Sequence, residues 1–156
     1  MASYVSNELV VCAPLNQHGA VRLLVFGSET GDEVDFQTLC RLPNGLSRPD
    51  KNGRSDWPSI RGWCSKVWGT PEPSVATFPV TAGVDRITFR FLTEETAPRH
   101  WVLRLASAVG VPVIHHWLGL DGMCHCDRYD CQVVVDDAGL VVRDRLAGLV
   151  PVSVDG

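Results

Sequence analysis

Apolar residues along this 156-residue chain recur with two different periods. In 15–27 and 96–110 they fall at helical spacing, and each stretch ends in a glycine, which commonly terminates a helix. In 86–92 they alternate with polar residues, as in a half-buried strand. The whole pattern predicts, in chain order, a strand at 7–13, a helix at 15–27, a short helix at 56–69, strands at 74–80 and 86–92, a helix at 96–110, a strand at 111–119 and a hairpin at 131–144.

Reduced to its core, this order of elements is β-α-β-β-α-β. Two helices on one face of an antiparallel sheet form a ferredoxin-like sandwich of the α+β class. Here the fold would carry an insertion at 28–55, after the first helix, and a C-terminal β-hairpin. Because a chain of this length normally forms one domain, we expect a single domain over 1–147 and a flexible tail over 148–156.

Composition favours a globular protein of the cytoplasm. Hydrophobic residues make up 45% of the chain, but no apolar run approaches the roughly 20 residues that a membrane span needs. The N-terminal residues lack the basic and apolar regions of a signal peptide. Six cysteines in such a chain indicate a reducing compartment. The net charge of -4 argues against a general nucleic-acid binder, which usually carries a basic excess.

The stretch DGMCHCDRYDC at 121–131 is rich in the residue types that bind metals. Zinc prefers four nitrogen or sulfur ligands in a tetrahedron, and the candidates here are Cys124, Cys126 and Cys131 with His125 or His115. In a strand, residues two apart face the same side, so Cys124 and Cys126 could converge while His125 points away. The alternative is a cysteine-rich strand whose thiols fill gaps in the core. We predict no metal and no cofactor, and a zinc or catalytic site at this cluster remains an alternative.

A second candidate site is the basic, tryptophan-rich segment at 48–68. Aromatic rings can stack on bases while cations hold phosphates, so a nucleic-acid-binding accessory protein is one alternative. Tryptophan and arginine are also enriched at the centres of protein interfaces, which favours a protein partner. A third interpretation places Trp57 and Trp68 in the core and leaves the cations solvated. The predicted anchors of a partner are Trp63, Trp68, Arg61 and Lys66.

Cysteines and histidines are plentiful, but the chain has no recognisable nucleophile elbow, phosphate loop or metal-hydrolase motif. His115 and His116 are adjacent in a predicted strand, so we expect one to be buried and hydrogen-bonded and the other exposed. His100 begins a predicted helix, where exposure is expected. We therefore predict a protein that is not an enzyme.

Several short motifs then follow one another in a familiar order. They are Asn7-Glu8-Leu9, Asp35-Phe36 followed by Leu42-Pro43, WCSKVWGT at 63–70, and Phe91-Leu92-Thr93 followed by Pro98. From Asn7 to about Val142 the chain resembles the YubB/Api-type ferredoxin-like family, small proteins of phages, plasmids and integrative elements with no settled biochemical role. It departs from the family pattern where Pro71-Glu72 replace Lys-Trp and Glu94-Glu95 replace Ala-Trp.

The resemblance implies a small phage or mobile-element protein. We expect a non-catalytic binding module that inhibits a host defence protein complex, such as a CRISPR effector, in the cytoplasm of the bacterial host. Carboxylates can take the place of phosphates against the Arg and Lys of a nucleic-acid groove. The candidate acids are Glu29, Asp32, Glu33 and Asp35, with Glu94 and Glu95 as a second group. Nucleic acid is the second choice of partner, no membrane is expected, and an exposed sheet edge would also allow a homodimer.

Overall fold

The computed structural model describes residues 3–43 and 57–130, together with three short strands further along the chain. The helices and strands are β1 (Tyr4–Val11), α1 (His18–Phe26), α2 (Trp57–Val67), β2 (Ala76–Thr77), β3 (Thr81–Ala82), β4 (Ile87–Glu94), α3 (Arg99–Val109), β5 (Val113–Leu118), β6 (Cys124–Tyr129), β7 (Val134–Val135), β8 (Val141–Arg143) and β9 (Val152–Val154). Leu15–Gln17 and Phe36–Thr38 each form a single turn of 3-10 helix.

Strand β1 lies in the middle of an antiparallel sheet. Its residue Leu9 faces Phe89 of β4 on one side and His115 of β5 on the other. The order of strands is β2-β4-β1-β5-β6-β9, and β3 also pairs with β4. Strands β7 and β8 pair with each other in a separate ladder. Helices and an antiparallel sheet therefore occur together, which confirms the predicted α+β class.

Three features differ from the predicted order of elements or add to it, and a fourth agrees with it. The predicted strand at 74–80 is divided into β2 and β3 around Pro79, which has no N–H group to donate to a ladder. Strand β6 is an addition to the predicted order. Strand β9 lies in the segment predicted as a flexible tail, but it pairs with β6. The predicted terminal hairpin agrees with the pairing of β7 and β8, and its turn at 136–139 is outside the described residues.

One face of the sheet carries the hydrophobic core. Burial alternates along β1, so Val5, Asn7, Leu9 and Val11 are buried while the residues between them, Ser6, Glu8 and Val10, are more exposed. Helices α1, α2 and α3 contribute side chains to the same cluster as the buried residues of β1 and β4. On the other face, which we call the open face, Arg90 and His116 are exposed. None of the described helices is long and apolar enough to span a membrane.

Trp68, immediately after α2, belongs to this core. Its side chain is 1% exposed, and its indole Nε1 donates a hydrogen bond to the carbonyl oxygen of Cys40 at 2.9 Å. The ring packs against Phe36 at 5.3 Å and meets Trp63 edge-on at 5.6 Å. The prediction that Trp68 anchors a partner is therefore wrong, because a buried ring cannot contact another protein.

We expect the substitution Trp68→Ala to lower the free energy of unfolding by about 3–5 kcal/mol, the usual effect of removing a buried aromatic side chain. Phe78→Ala is the matched control, since the Phe78 side chain is 46% exposed. It should change the free energy of unfolding by less than about 0.5 kcal/mol. Urea denaturation measures both values, and equal losses in the two variants would contradict the core position of Trp68.

Candidate functional site

The first group of predicted acids lies on the surface, in the loop that follows α1. Glu29, Asp32, Glu33 and Asp35 are all exposed. The Asp35 carboxylate accepts a hydrogen bond from the backbone N–H of Gln37 at 2.9 Å and thereby begins the short helix at Phe36–Thr38. None of the four acids forms an ion pair with another described residue. Their negative charge is thus presented to solvent.

Exposed apolar residues lie on the elements that adjoin this acidic loop, which are α1 and the segment around β2. The backbone N–H of Val34 donates to the hydroxyl of Thr77 at 3.0 Å, which holds the loop against the sheet at β2. A depression of about 350 Å³ between them is lined by Asp32 and Phe78, among others. Leu23, Val75 and Phe78 are each close to half exposed. We refer to the acids of 29–35 together with Leu23, Val75 and Phe78 as the acidic–apolar surface.

The predicted anchor Arg61 and the second group of predicted acids lie together. The Arg61 guanidinium is 2.6 Å from Glu72, 3.4 Å from Glu95 and 3.7 Å from Glu94. This cation is therefore surrounded by carboxylates of its own chain. Of the other anchors, Lys66 is exposed and Trp63 is partly buried against Trp68.

Three of the five basic residues of the segment predicted at 48–68 are not among the described residues. Arg48, Lys51 and Arg54 lie outside the described residues, as does the side chain of Trp57. Within the described part of the segment, Arg61 is paired with acids and Trp68 is buried. The described residues of this segment therefore give no support to a nucleic-acid interface.

The cysteine cluster is divided between the two faces of β6. Cys126 lies opposite His116 and Cys124 opposite Leu118, on the open face, whereas His125 points to the other side. Burial and the neighbouring Asp127 raise the pKa of the Cys126 thiol, which disfavours a thiolate ligand or nucleophile. Cys131 lies outside the described residues. Among those that are described, no three His, Cys, Asp or Glu side chains are placed to hold a metal ion.

Polar side chains that the sequence did not single out meet on the helix-facing side of the sheet. The Asp127 carboxylate is 1% exposed, and Arg99, at the start of α3, donates two hydrogen bonds to it, at 2.7 and 3.0 Å. The Tyr129 hydroxyl donates a third hydrogen bond at 3.3 Å. Burial and the Asp127 charge raise the pKa of Tyr129 far above its usual value. Tyr129 therefore stays a neutral donor.

His115 is the second buried polar group of this side. The Thr93 hydroxyl donates to the Thr96 carbonyl and accepts from the Asn7 amide N–H, so the Asn7 amide oxygen is left to face the His115 Nε2 at 2.9 Å. Nε2 therefore carries the proton, and the buried Nδ1 has no hydrogen-bond partner in the described part of the chain. Burial, with help from Arg99 and His116, lowers the pKa of His115 to about 3. The expectation of one buried, hydrogen-bonded histidine and one exposed histidine at 115–116 is confirmed.

A stack of rings continues from this network to the surface. The Arg99 guanidinium lies 5.1 Å from the centre of the Trp117 ring, and the His125 ring stacks on Trp117 at 5.2 Å. The His125 Nε2 is 3.2 Å from the Asp121 carboxylate, whose pKa is lowered mainly by its hydrogen bond from the Met123 N–H. These residues line a cleft of about 470 Å³, with His100, Ser65 and Glu95 at its other walls.

Sequence reasoning missed this cleft because its residues come from five separate stretches of the chain, from β1 to β6. The pairing of β5 with β6 places Asp127 opposite His115 and His125 opposite Trp117. This pairing could not be predicted because β6 was not among the predicted strands. One signal was available: Cys and polar residues alternate along 124–127 in a way that suits a strand. His100 is exposed, as predicted, and lines the cleft.

No protein-family model, curated protein or solved structure matches this chain.

The buried His115 predicts a specific dependence of stability on pH. In the unfolded chain a histidine takes up a proton below about pH 6.5, whereas the folded His115 stays neutral down to about pH 3. Acid therefore favours the unfolded state, and the free energy of unfolding should fall by about 2 kcal/mol between pH 7 and pH 5 from this group alone. His115→Gln should lose this part of the slope, whatever its stability at pH 7.

His116→Gln is the control, because its imidazole is exposed on the open face. Urea denaturation of the three proteins at pH 7 and pH 5 gives the slopes. The same slope in His115→Gln as in the wild type would contradict a neutral His115 in the folded protein.

Proposed function

We propose that this protein is a non-catalytic binding module that docks on a basic protein surface through the acidic–apolar surface. The observation that carries the proposal is a loop of four exposed acids without ion pairs to described residues, which adjoins elements that carry three half-exposed apolar side chains. Charge steers such a complex and selects its partner, and apolar area contributes to its affinity.

A basic protein fits this surface better than nucleic acid does. Phosphates would be repelled by Glu29, Asp32 and Glu33, whereas a groove of Arg and Lys that normally holds phosphates would attract them. Carboxylates match the arginine fork in two-point hydrogen bonds much as phosphates do. The module would thus act by occupying the nucleic-acid-binding groove of its partner.

The family resemblance supports the setting of this function. Together with the acidic surface, it favours a phage or mobile-element protein that inhibits a host defence complex, with a CRISPR effector as a suitable target, in the bacterial cytoplasm. Trp63, Arg61, Lys66, Glu94 and Glu95 stay predictions as a second contact region. The ion pairs of Arg61 with Glu94 and Glu95 would have to be exchanged for pairs with the partner.

A ferredoxin-like arrangement is part of the same proposal. It is supported by the antiparallel order β2-β4-β1-β5, with α1 after β1 and α3 after β4. Strand β6 would then be an addition beside β5, and β3 an addition on β4.

Reversal of charge on the acidic loop tests the docking proposal. We expect Asp32→Lys/Glu33→Lys to lose at least tenfold in affinity for the captured partner, since two attractions become repulsions. The control, Asp85→Lys/Asp130→Lys, changes the net charge equally but at residues paired with Arg86 and Arg128, away from the loop. It should bind like the wild type.

The measurement is capture from bacterial lysate, with and without nuclease treatment, on immobilised wild type and both variants, followed by titration of the recovered partner. A partner retained by wild type and control but lost by the loop variant supports the proposal. Equal capture by both variants would overturn it. Recovery of material that disappears with nuclease would favour the nucleic-acid alternative instead.

A further inference from the structure

The cleft at the start of α3 contains a cation that is held in place before any ligand arrives. Arg99 uses Nε and Nη2 for its two hydrogen bonds to Asp127, and Trp117 lies against its guanidinium. The Arg99 side chain is nevertheless 42% exposed. Its Nη1 forms no hydrogen bond with a described residue, so this edge of the guanidinium group is available to a ligand. A fixed guanidinium loses little side-chain entropy when it binds.

Two further hydrogen-bonding groups line the same cleft. His100 follows Arg99 in α3, and its Nδ1 donates to the carbonyl oxygen of Lys66 at 2.8 Å. This bond leaves Nε2 as the ring atom for a ligand. Nε2 can donate when the ring is protonated and can accept from an acidic hydroxyl when it is neutral. Ser65, exposed at the end of α2, adds a hydroxyl.

The remaining wall is acidic. Asp121 is bound to His125 and to the Met123 N–H, and a methyl group at Gly119 would come within 2.6 Å of the Asp121 carboxylate. Glu95 lies at the rim of the cleft. Its backbone is left-handed, with φ 65°, a conformation that is unfavourable for residues other than glycine. Strained residues of this kind cluster at binding sites.

We propose that this cleft binds the phosphate group of a small molecule, with Arg99, His100 and Ser65 as its hydrogen-bond partners. The three residues come from two helices and line the same cleft, so together they can offer more hydrogen bonds than a planar carboxylate needs, which favours a tetrahedral phosphate. The cleft, about 470 Å³, is larger than a phosphate. Its acidic wall would accept hydrogen bonds from hydroxyl or amino groups on the rest of the ligand.

This proposal does not rest on the docking function, because its three ligand-binding residues, Arg99, His100 and Ser65, are not part of the acidic–apolar surface. The cleft lies by β5, β6 and α3, whereas the acidic–apolar surface lies by α1 and β2. Failure of one proposal therefore leaves the other standing.

Titration of the whole protein with inorganic phosphate tests the proposal. Side-chain NMR signals of Arg99 Nε and of the His100 ring should shift and saturate, with a dissociation constant on the order of 1 mM. Acetate at the same ionic strength should bind clearly more weakly. The absence of saturation at tens of millimolar phosphate would overturn the site, and equal saturation by acetate would overturn its assignment to phosphate.

Substitutions identify the residues that act. Arg99→Gln should weaken phosphate binding roughly tenfold or more, as expected for the loss of a charge-assisted hydrogen bond. Arg128→Gln is the matched control, because Arg128 is 63% exposed, pairs with Asp130 and points to the open face. It should bind phosphate like the wild type, and equal weakening in the two variants would overturn the proposal.

His100→Gln provides a second variant, because loss of Arg99 could also disturb folding through the buried Asp127. His100 is exposed, so its replacement leaves the core intact. We expect its phosphate affinity to fall several-fold while the unfolding midpoint stays the same. Unchanged affinity in His100→Gln would remove His100 from the site and, with it, the tetrahedral arrangement on which the proposal depends.

Discussion

The buried carboxylate of Asp127 places the strictest requirement on this structure. A charge that is 1% exposed is tolerated only when it is paired and hydrogen-bonded. Its partner, Arg99, comes from α3, 28 residues earlier in the chain. The pair therefore fixes the start of α3 against β6, the strand that extends the sheet beyond β5. The same contact aims the free edge of Arg99 into the cleft, so the stability of this corner and its chemistry depend on one interaction.

The helix-facing side of the sheet is divided into an apolar and a polar part. Along β1 and β4 it carries apolar residues such as Leu9, Phe89 and Phe91, which are stabilised by packing and need no hydrogen-bond partner. Along β5 and β6 the same side carries His115 and Asp127, which need specific partners. The chain supplies those partners from β1 and α3, as Asn7 and Arg99. Because each polar group has a designated partner, a shift of register between these strands would leave a buried charge unpaired.

Periodicity in the sequence was sufficient for the elements whose burial is one-sided. Strand β4 and helix α3 alternate apolar and polar residues with the expected periods, and glycines end α1 and α3 with left-handed backbones at φ 75° and 67°. The polar corner could not be predicted in this way. Its residues are far apart in the chain, and their contacts follow from the pairing of β5 with β6 and from the entry angle of α3. Composition pointed instead to tryptophans and cysteines, and Trp68 is in the core because its ring fills the space beside Phe36.

The distribution of ion pairs explains why the two proposed sites can coexist in one small domain. Arg61 and Arg99 are both satisfied by carboxylates of the chain itself, near the cleft. The acids of the 29–35 loop have no such partners among the described residues, although the chain carries more acids than bases. Excess negative charge thus collects on the side of β2, where it can steer a basic partner. On the side of β5 and β6 the acids of the cleft are paired, Asp127 with Arg99, Asp121 with His125 and Glu95 with Arg61. Under this condition a single exposed guanidinium edge can select a small anion.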